Sequence, residues 1–154
     1  AAEAVQDGKN FNEVCKILEN AINNTTIYIG FDKLDNVVKG GRISHTVKKI
    51  ANFFRINPII TFKEEGIKTI GITFGNNNKA DKFKKFAESK IPKNQNFRVG
   101  IAHTQMKKIA SKWSKDLQKR FGDDNVVLTE VGPALGVHSG PGSLIFAIQT
   151  LDDN

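Results

Sequence analysis

The sequence predicts an α/β sandwich in which about five helices pack against a mixed sheet of about six strands. Segments with helical and with extended periodicity alternate along the chain, and strands follow each other directly only at hairpins. With 154 residues, of which 39% are hydrophobic and 25% are charged, the chain has the size and composition of one soluble globular domain. No repeat or linker divides it, so we expect residues 1–154 to form a single domain.

The first helix and the first strand have distinct signals. Asn10 and Glu13 have the spacing of a capping box, and apolar residues follow at steps of three and four, which predicts a helix over residues 10–23. The β-branched and aromatic run that comes next predicts a strand over residues 26–31.

Two short helices are expected after this strand. Asp32 can cap the first of them, which ends at the Gly40-Gly41 pair. Ser44 can cap the second, over about residues 45–54. The Asn57-Pro58 pair ends it because a residue that precedes proline avoids the α region.

A β-hairpin is predicted from residues 58–63 and 67–74, with Gly66 in the turn between them. The second of these strands alternates in residue type, which predicts one covered face. The remaining predicted elements are a helix around residues 80–87, a strand over 96–102, a helix over 106–121 that Gly122 ends, and strands over 125–131 and 143–151. Trp113 and Cys15 lie on apolar helix stripes, so both are expected in the core.

The chain carries a formal net charge of +7, which favours an acidic partner and makes nucleic acid one candidate. Lysines cluster in residues 79–90 and 107–120, but they interleave with apolar residues at helical spacing, so they are interpreted mainly as solvated helix faces. No apolar run approaches the roughly 20 residues of a spanning helix, and no signal peptide is recognised, so no membrane insertion is expected. The single cysteine is compatible with a reducing cytoplasm.

Residues 132–143 contain four glycines and two prolines, which predicts a rigid loop with exposed backbone amides and neither helix nor strand. His138 is its one ionisable residue, flanked by the hydroxyls of Ser139 and Ser143. His138 could be a base, a ligand-binding donor or a loop-stabilising hydrogen bonder, and by itself the structural role is favoured.

A second glycine motif, Gly40-Gly41-Arg42-Ile43-Ser44, directly precedes an expected helix start. Free amides, the helix dipole and a neighbouring arginine could bind an anion there, although a helix cap followed by another cap explains the spacing equally well. Neither a Walker motif nor Gly-x-Gly-x-x-Gly is present. The three dispersed histidines, His45, His103 and His138, give no metal-ligand spacing, and no serine-nucleophile elbow occurs.

Together the two motifs resemble the DegV family of bacterial fatty-acid-binding proteins. The similar segments are Lys39-Gly40-Gly41-Arg42-Ile43-Ser44, Ile56-Asn57-Pro58-Ile59-Ile60, and Gly132-Pro133 through His138-Ser139-Gly140-Pro141-Gly142, with a start near Asp7-Gly8-Lys9-Asn10. The order and separation of the motifs match over essentially the whole chain. DegV-like proteins have two domains, so the resemblance implies that this chain is the C-terminal one and that the N-terminal domain lies outside it.

The resemblance also implies a function and a site. A long-chain fatty acid would be the ligand, with His138, Ser139, Gly140 and Arg42 near its carboxylate, and Gly40, Gly41, Ile43, Ser44, Pro141 and Gly142 would shape the two loops. The acyl group would be presented to a fatty acid kinase in the bacterial cytoplasm, without a cofactor, a metal or catalytic residues in the carrier itself. A nucleic-acid-binding basic domain and a small-molecule enzyme that uses the two glycine loops remain the alternatives.

Overall fold

The computed structural model describes residues 1–41, 44, 49, 51, 53–63, 66–75 and 77–151. These residues form six strands: β1 (Thr25–Gly30), β2 (Ile56–Lys63), β3 (Gly66–Phe74), β4 (Phe97–His103), β5 (Val126–Glu130) and β6 (Leu144–Thr150). They also form the helices α1 (Ala2–Gln6), α2 (Phe11–Asn23), α3 (Asp35–Lys39), α4 (Lys79–Glu88), α5 (Lys107–Phe121) and α6 (Pro133–Ser139), with a 3-10 turn at Asp123–Asn125.

All six strands join one sheet in the order β3-β2-β1-β6-β4-β5. Every neighbouring pair is antiparallel except β4 and β5, which are parallel. The predicted α/β fold with a mixed six-stranded sheet is therefore confirmed.

Helices cover both faces of the sheet, because successive residues of a strand point to opposite sides. On one face, α4 and α5 pack on a buried cluster with members from several strands, including Tyr28, Ile59 and Phe146. On the other face, Val37 of α3 packs with a cluster that includes Ile29 and Ile145. The molecule is thus layered as the alternating sequence pattern predicts.

The α5 helix carries the centre of the first cluster. Trp113 is fully buried, as predicted, and stacks on Phe146 with ring centroids 5.0 Å apart. Its indole N–H donates to Glu88 Oε1 at 2.8 Å, and Arg120 pairs with the other oxygen of Glu88, so α4 and α5 are tied together. Lysines at positions 108, 112, 115 and 119 are exposed on the opposite side of α5, as the helical spacing predicts.

The α2 helix starts with the predicted capping box, in which Asn10 and Glu13 exchange hydrogen bonds. None of its side chains is buried, however. Phe11 is 80% and Ile22 73% exposed. The expectation that Cys15 lies in the core is therefore wrong, since Cys15 is half-buried on a helix that does not pack into either cluster.

The two predicted short helices differ in outcome. Asp32 is not the cap of α3, because the helix begins only at Asp35, after Leu34. The Asp32 carboxylate instead lies 3.6 Å from the ammonium of Lys79. The helix ends at Gly40, as predicted. Most of the helix expected over residues 45–54 lies outside the described residues, although Lys49, Ala51 and Phe53 are helical.

The hairpin of β2 and β3 is confirmed, and Gly66 in its turn has φ +108°. The covered face of β3 differs from the simple alternation, because the register shifts at Ile59 and Ile60. Gly71 lies under the ring of Phe86, whereas Phe74 remains 61% exposed. No helix in the described part of the chain is long and apolar enough to cross a bilayer.

Candidate functional site

The two predicted glycine motifs meet in space, because α3 packs against α6. A Cβ atom added at Gly40 would lie 2.6 Å from Nδ1 of His138, so the imidazole ring rests directly on the Gly40 backbone. Gly40 has an ordinary helical φ of −74°. Glycine is thus required at this position by the close approach of the ring and not by backbone conformation.

Two further contacts of the same kind join these segments. A Cβ atom at Gly140 would lie 2.6 Å from Nδ2 of Asn36, and one at Gly142 would lie 2.7 Å from Cβ of Asp32. Both glycines also have positive φ, +73° and +83°. The chain around α3 and the chain after α6 therefore interlock through side chains that occupy the space above glycines.

The predicted structureless loop is wrong in its first half, since residues Pro133–Ser139 form helix α6. Pro133 occupies the first turn, where a missing N–H costs nothing, and Gly140 ends the helix with positive φ. Only Gly136 lies inside, at a cost of about 1 kcal/mol relative to alanine. Packing of α6 on α3 offsets this cost, which composition alone could not reveal.

Thr104 and Ser143 hold the rest of the loop in place, and the sequence motifs identified neither role. The Thr104 hydroxyl donates to the Gly140 carbonyl and accepts from the Ser143 N–H at 2.9 Å. The Ser143 hydroxyl donates to the Ser139 carbonyl at 2.7 Å. A hydroxyl residue directly after strand β4 was the only available signal for Thr104.

Hydrogen bonds hold the loop, and three of its amides are not the exposed donors that the sequence predicts. The N–H groups of Gly140, Gly142 and Ser143 donate to Gly136, to the Thr104 carbonyl and to the Thr104 hydroxyl, respectively. These hydrogen bonds satisfy the amides inside the protein. These three groups are therefore not available to a ligand.

Two predicted site residues have side chains that can donate hydrogen bonds. His138 is half-buried, with its ring against Gly40. Ser139 is only 3% exposed, and its hydroxyl has no hydrogen-bond partner among the described residues. A buried hydroxyl without a partner costs about 1–3 kcal/mol, which makes it a strong candidate to meet a polar ligand atom.

The other predicted site residues lie around these two. Gly140 is buried, Pro141 is exposed, Gly142 is half-buried, and Gly41 and Ser44 are exposed. Gly41 has φ +73°, a backbone conformation that favours glycine in the turn after α3. Arg42 and Ile43 lie outside the described residues, as does His45.

A comparison with known protein families identifies the family of the chain. The model of the DegV family, whose members are described as uncharacterised proteins, matches residues 1–150. The chain belongs to the DegV family.

The relatives of this DegV chain are about twice as long as the chain itself. A DegV domain-containing protein of Clostridium perfringens is 30% identical over 142 residues, which cover 90% of this chain and 49% of the relative. Among solved structures, a fatty acid binding DegV family protein of Streptococcus agalactiae has a TM-score of 0.74 at 22% identity, with 99% of this chain and 53% of that one covered.

The Streptococcus pneumoniae Fatty Acid Kinase (Fak) B3 protein, loaded with linoleic acid, has a TM-score of 0.76 at 16% identity. The superposition covers 97% of this chain and 53% of that one. At these identities the two structural matches establish the DegV fold. The chain spans about half the length of the relatives it matches.

The cavities beside the two glycine motifs are small. A cleft of about 50 Å³ lies beside Asp32, Gly142 and Leu144. A second one, of about 230 Å³, lies beside Leu34 and Arg55. Both are below the roughly 300–1,000 Å³ of sites that enclose a small molecule. At the edge of the fold where the two glycine motifs meet, the described residues therefore form two small clefts, neither of which alone encloses a small molecule.

Charge at this edge is mixed in sign. Asp32 places a half-exposed carboxylate over Gly142, and Lys79 partly compensates it from 3.6 Å. No group of three or more metal-ligating side chains occurs among the residues that the structure describes. His103, at the end of β4, is 3% exposed, and its Nδ1 atom has no partner within the same part of the chain.

Proposed function

We propose that this chain is the fatty-acid-binding C-terminal half of a two-domain DegV carrier. The observation that carries the proposal is the meeting of His138, the unpartnered Ser139 hydroxyl and the Gly40 turn at one edge of the fold. The fatty acids bound by the Streptococcus agalactiae and Streptococcus pneumoniae relatives supply the ligand class.

In this proposal His138 and Ser139 donate hydrogen bonds to the fatty acid carboxylate. A carboxylate that leaves water needs several or charge-assisted donors, which an imidazole and a hydroxyl provide. Arg42 is proposed as a cationic contributor on the strength of its motif. Burial of the acyl chain contributes about 0.8 kcal/mol per methylene and supplies most of the affinity, while the head group fixes orientation.

The remaining donors and the walls of the acyl pocket are assigned to the N-terminal domain. The unpartnered apolar stripe of α2 supports this assignment: Phe11, Leu18 and Ile22 are exposed by 80%, 42% and 73%. An exposed apolar stripe on a well-capped helix is suited to pack against another domain. The small clefts beside Gly142 and Leu34 fit a site that only the second domain completes.

In the proposed carrier role, a partner protein carries out the chemical reaction. We propose that the bound acid is presented in the cytoplasm to a fatty acid kinase that phosphorylates its carboxylate, as the name of the pneumococcal relative suggests. In this role the carrier uses no cofactor, metal or catalytic residue of its own. His138 and Ser139 then serve binding and orientation.

Lipid mass spectrometry tests the proposal. The full-length protein and residues 1–154 alone are purified and extracted with organic solvent, and a long-chain fatty acid is expected from the former and little from the latter. His138→Ala should lower fatty acid affinity about 10-fold or more, since a charge-assisted hydrogen bond is lost. Val137→Ala, on the exposed side of the same helix, is the matched control. Repeated absence of any acyl chain from the full-length protein contradicts the proposal.

A further inference from the structure

We propose that Asn36 is a third hydrogen-bond donor to the carboxylate and selects a free acid over an ester. This inference rests on the proposed fatty acid function and names a residue that neither glycine motif contains. Asn36 is the second residue of α3, one helical turn before Gly40.

Asn36 contacts both halves of the site. Its backbone carbonyl accepts the Gly40 N–H at 2.9 Å, and this hydrogen bond sets the turn on which His138 rests. Its side-chain nitrogen, Nδ2, lies 2.6 Å from where a Cβ atom of residue 140 would be. The amide therefore occupies the space next to the Gly140 backbone.

The side-chain N–H groups of Asn36 are available as hydrogen-bond donors. Among the residues that the structure describes, its side chain makes no hydrogen bond, although the residue is half-buried. The hydroxyl of Ser139, next to the same glycine, is also without a partner. The Asn36 amide and the Ser139 hydroxyl, which belong to residues next to the Gly140 backbone, are donors that an anionic oxygen would satisfy.

The chemistry of these groups favours a carboxylate. A carboxylate presents two charged oxygens that together accept several hydrogen bonds, whereas an ester presents one neutral carbonyl oxygen of weaker basicity. An uncharged amide also suits a place where Asp32 already sits over Gly142, because it adds a donor without a further negative charge. Asn36 therefore favours binding of the acid over the ester, and other residues bind the acyl chain.

The test measures the affinity of the full-length protein for oleic acid and for methyl oleate. Asn36→Asp keeps the shape that packs on Gly140 but replaces the donor by a negative charge, so oleic acid affinity should fall at least about 10-fold while methyl oleate affinity stays within about twofold. Asn36→Leu removes the donor without adding charge. It should lower oleic acid affinity less than Asn36→Asp does, and methyl oleate affinity should again stay unchanged. Asn12→Asp, exposed on α2, adds the same charge elsewhere and is the control.

The outcomes separate the possible roles. If Asn36 only fills space above Gly140, Asn36→Leu keeps the acid-to-ester ratio of the unmodified protein, and the inference is overturned. Equal losses for both probes, with a lowered unfolding temperature, indicate a role in folding and also overturn it. Failure of the unmodified protein to bind either probe overturns the proposed function itself, and the assignment of Asn36 falls with it.

Discussion

Gly40 and His138 form the closest link between the two motifs, with the imidazole nitrogen 2.6 Å from the place of a Cβ atom at residue 40. Gly40→Ala should leave the backbone undisturbed, because its φ of −74° suits alanine, but it must push the ring away. We expect fatty acid affinity of the full-length protein to fall about 10-fold, measured by fluorescent acid displacement, because a displaced His138 donor is lost from the site.

Gly136 supplies the control for this variant. It lies inside α6, and a Cβ atom added there meets nothing within 4 Å. Gly136→Ala should raise the free energy of unfolding by roughly 0.5–1 kcal/mol in urea denaturation and leave fatty acid affinity unchanged. Equal affinity of the Gly40→Ala and Gly136→Ala variants would remove the His138 contact from the mechanism.

Ser139 and Ser143 should respond in opposite ways to loss of the hydroxyl. Ser143 is fully buried and donates to the Ser139 carbonyl, so Ser143→Ala should lower the free energy of unfolding by about 1–2 kcal/mol. Ser139→Ala removes a hydroxyl without a partner among the described residues, so stability should not fall. Its fatty acid affinity should drop instead. Urea unfolding and binding measured on both variants check this reversal, and the same rank order in both assays contradicts it.

The attachment of α1 should weaken in acid. Hydrogen bonding to Arg98, at 2.9 Å, together with the charge of that guanidinium, holds the pKa of Glu3 below its ordinary value. Because the folded pKa is depressed, this contribution is complete above the ordinary pKa of a glutamate and is lost as the pH falls through the folded pKa.

Hydrogen exchange of the α1 amides, corrected for intrinsic rates, measures this effect. Protection should decrease between pH 6 and about pH 3 in the unmodified chain, whereas Arg98→Gln should show low protection at both values. Arg120→Gln, which breaks the pair with Glu88 between α4 and α5, should leave α1 unchanged. Acid-independent protection of α1 argues against an ionic attachment.

The fold could be predicted to the level of its elements, because each strand carries a local pattern that its place in the sheet reinforces. Residues 26–31 predicted β1 by β-branched content, and the structure has Thr25–Gly30. Helix α6 was missed because glycine and proline content argues against helices in general, whereas Pro133 and Gly140 stand at the ends, where they fit. The covered face of β3 departs from the predicted one, since alternation in residue type says nothing about a register shift.

The site could be predicted only where a motif marked it. Gly40 and His138 were paired from their motifs, and the structure brings them together. Whether His138 binds a ligand stays a prediction, and so does the role of Arg42. Asn36 carried no signal and Thr104 only its position after β4, because their roles arise from tertiary neighbours: the amide lies over Gly140 and the hydroxyl donates to its carbonyl.

The sheet order places β6, the last strand, beside β1, the first, at the centre. During synthesis, β1, β2 and β3 can form a meander early, but the inner edge of β1 stays open until residues 144–150 leave the ribosome. Gly140 and Gly142, which contact Asn36 and Asp32, lie just before β6. Docking of β6 therefore also brings these glycines to their neighbours in and before α3, so a nascent chain that stops before residue 144 leaves the edge of β1 unpaired and lacks these contacts.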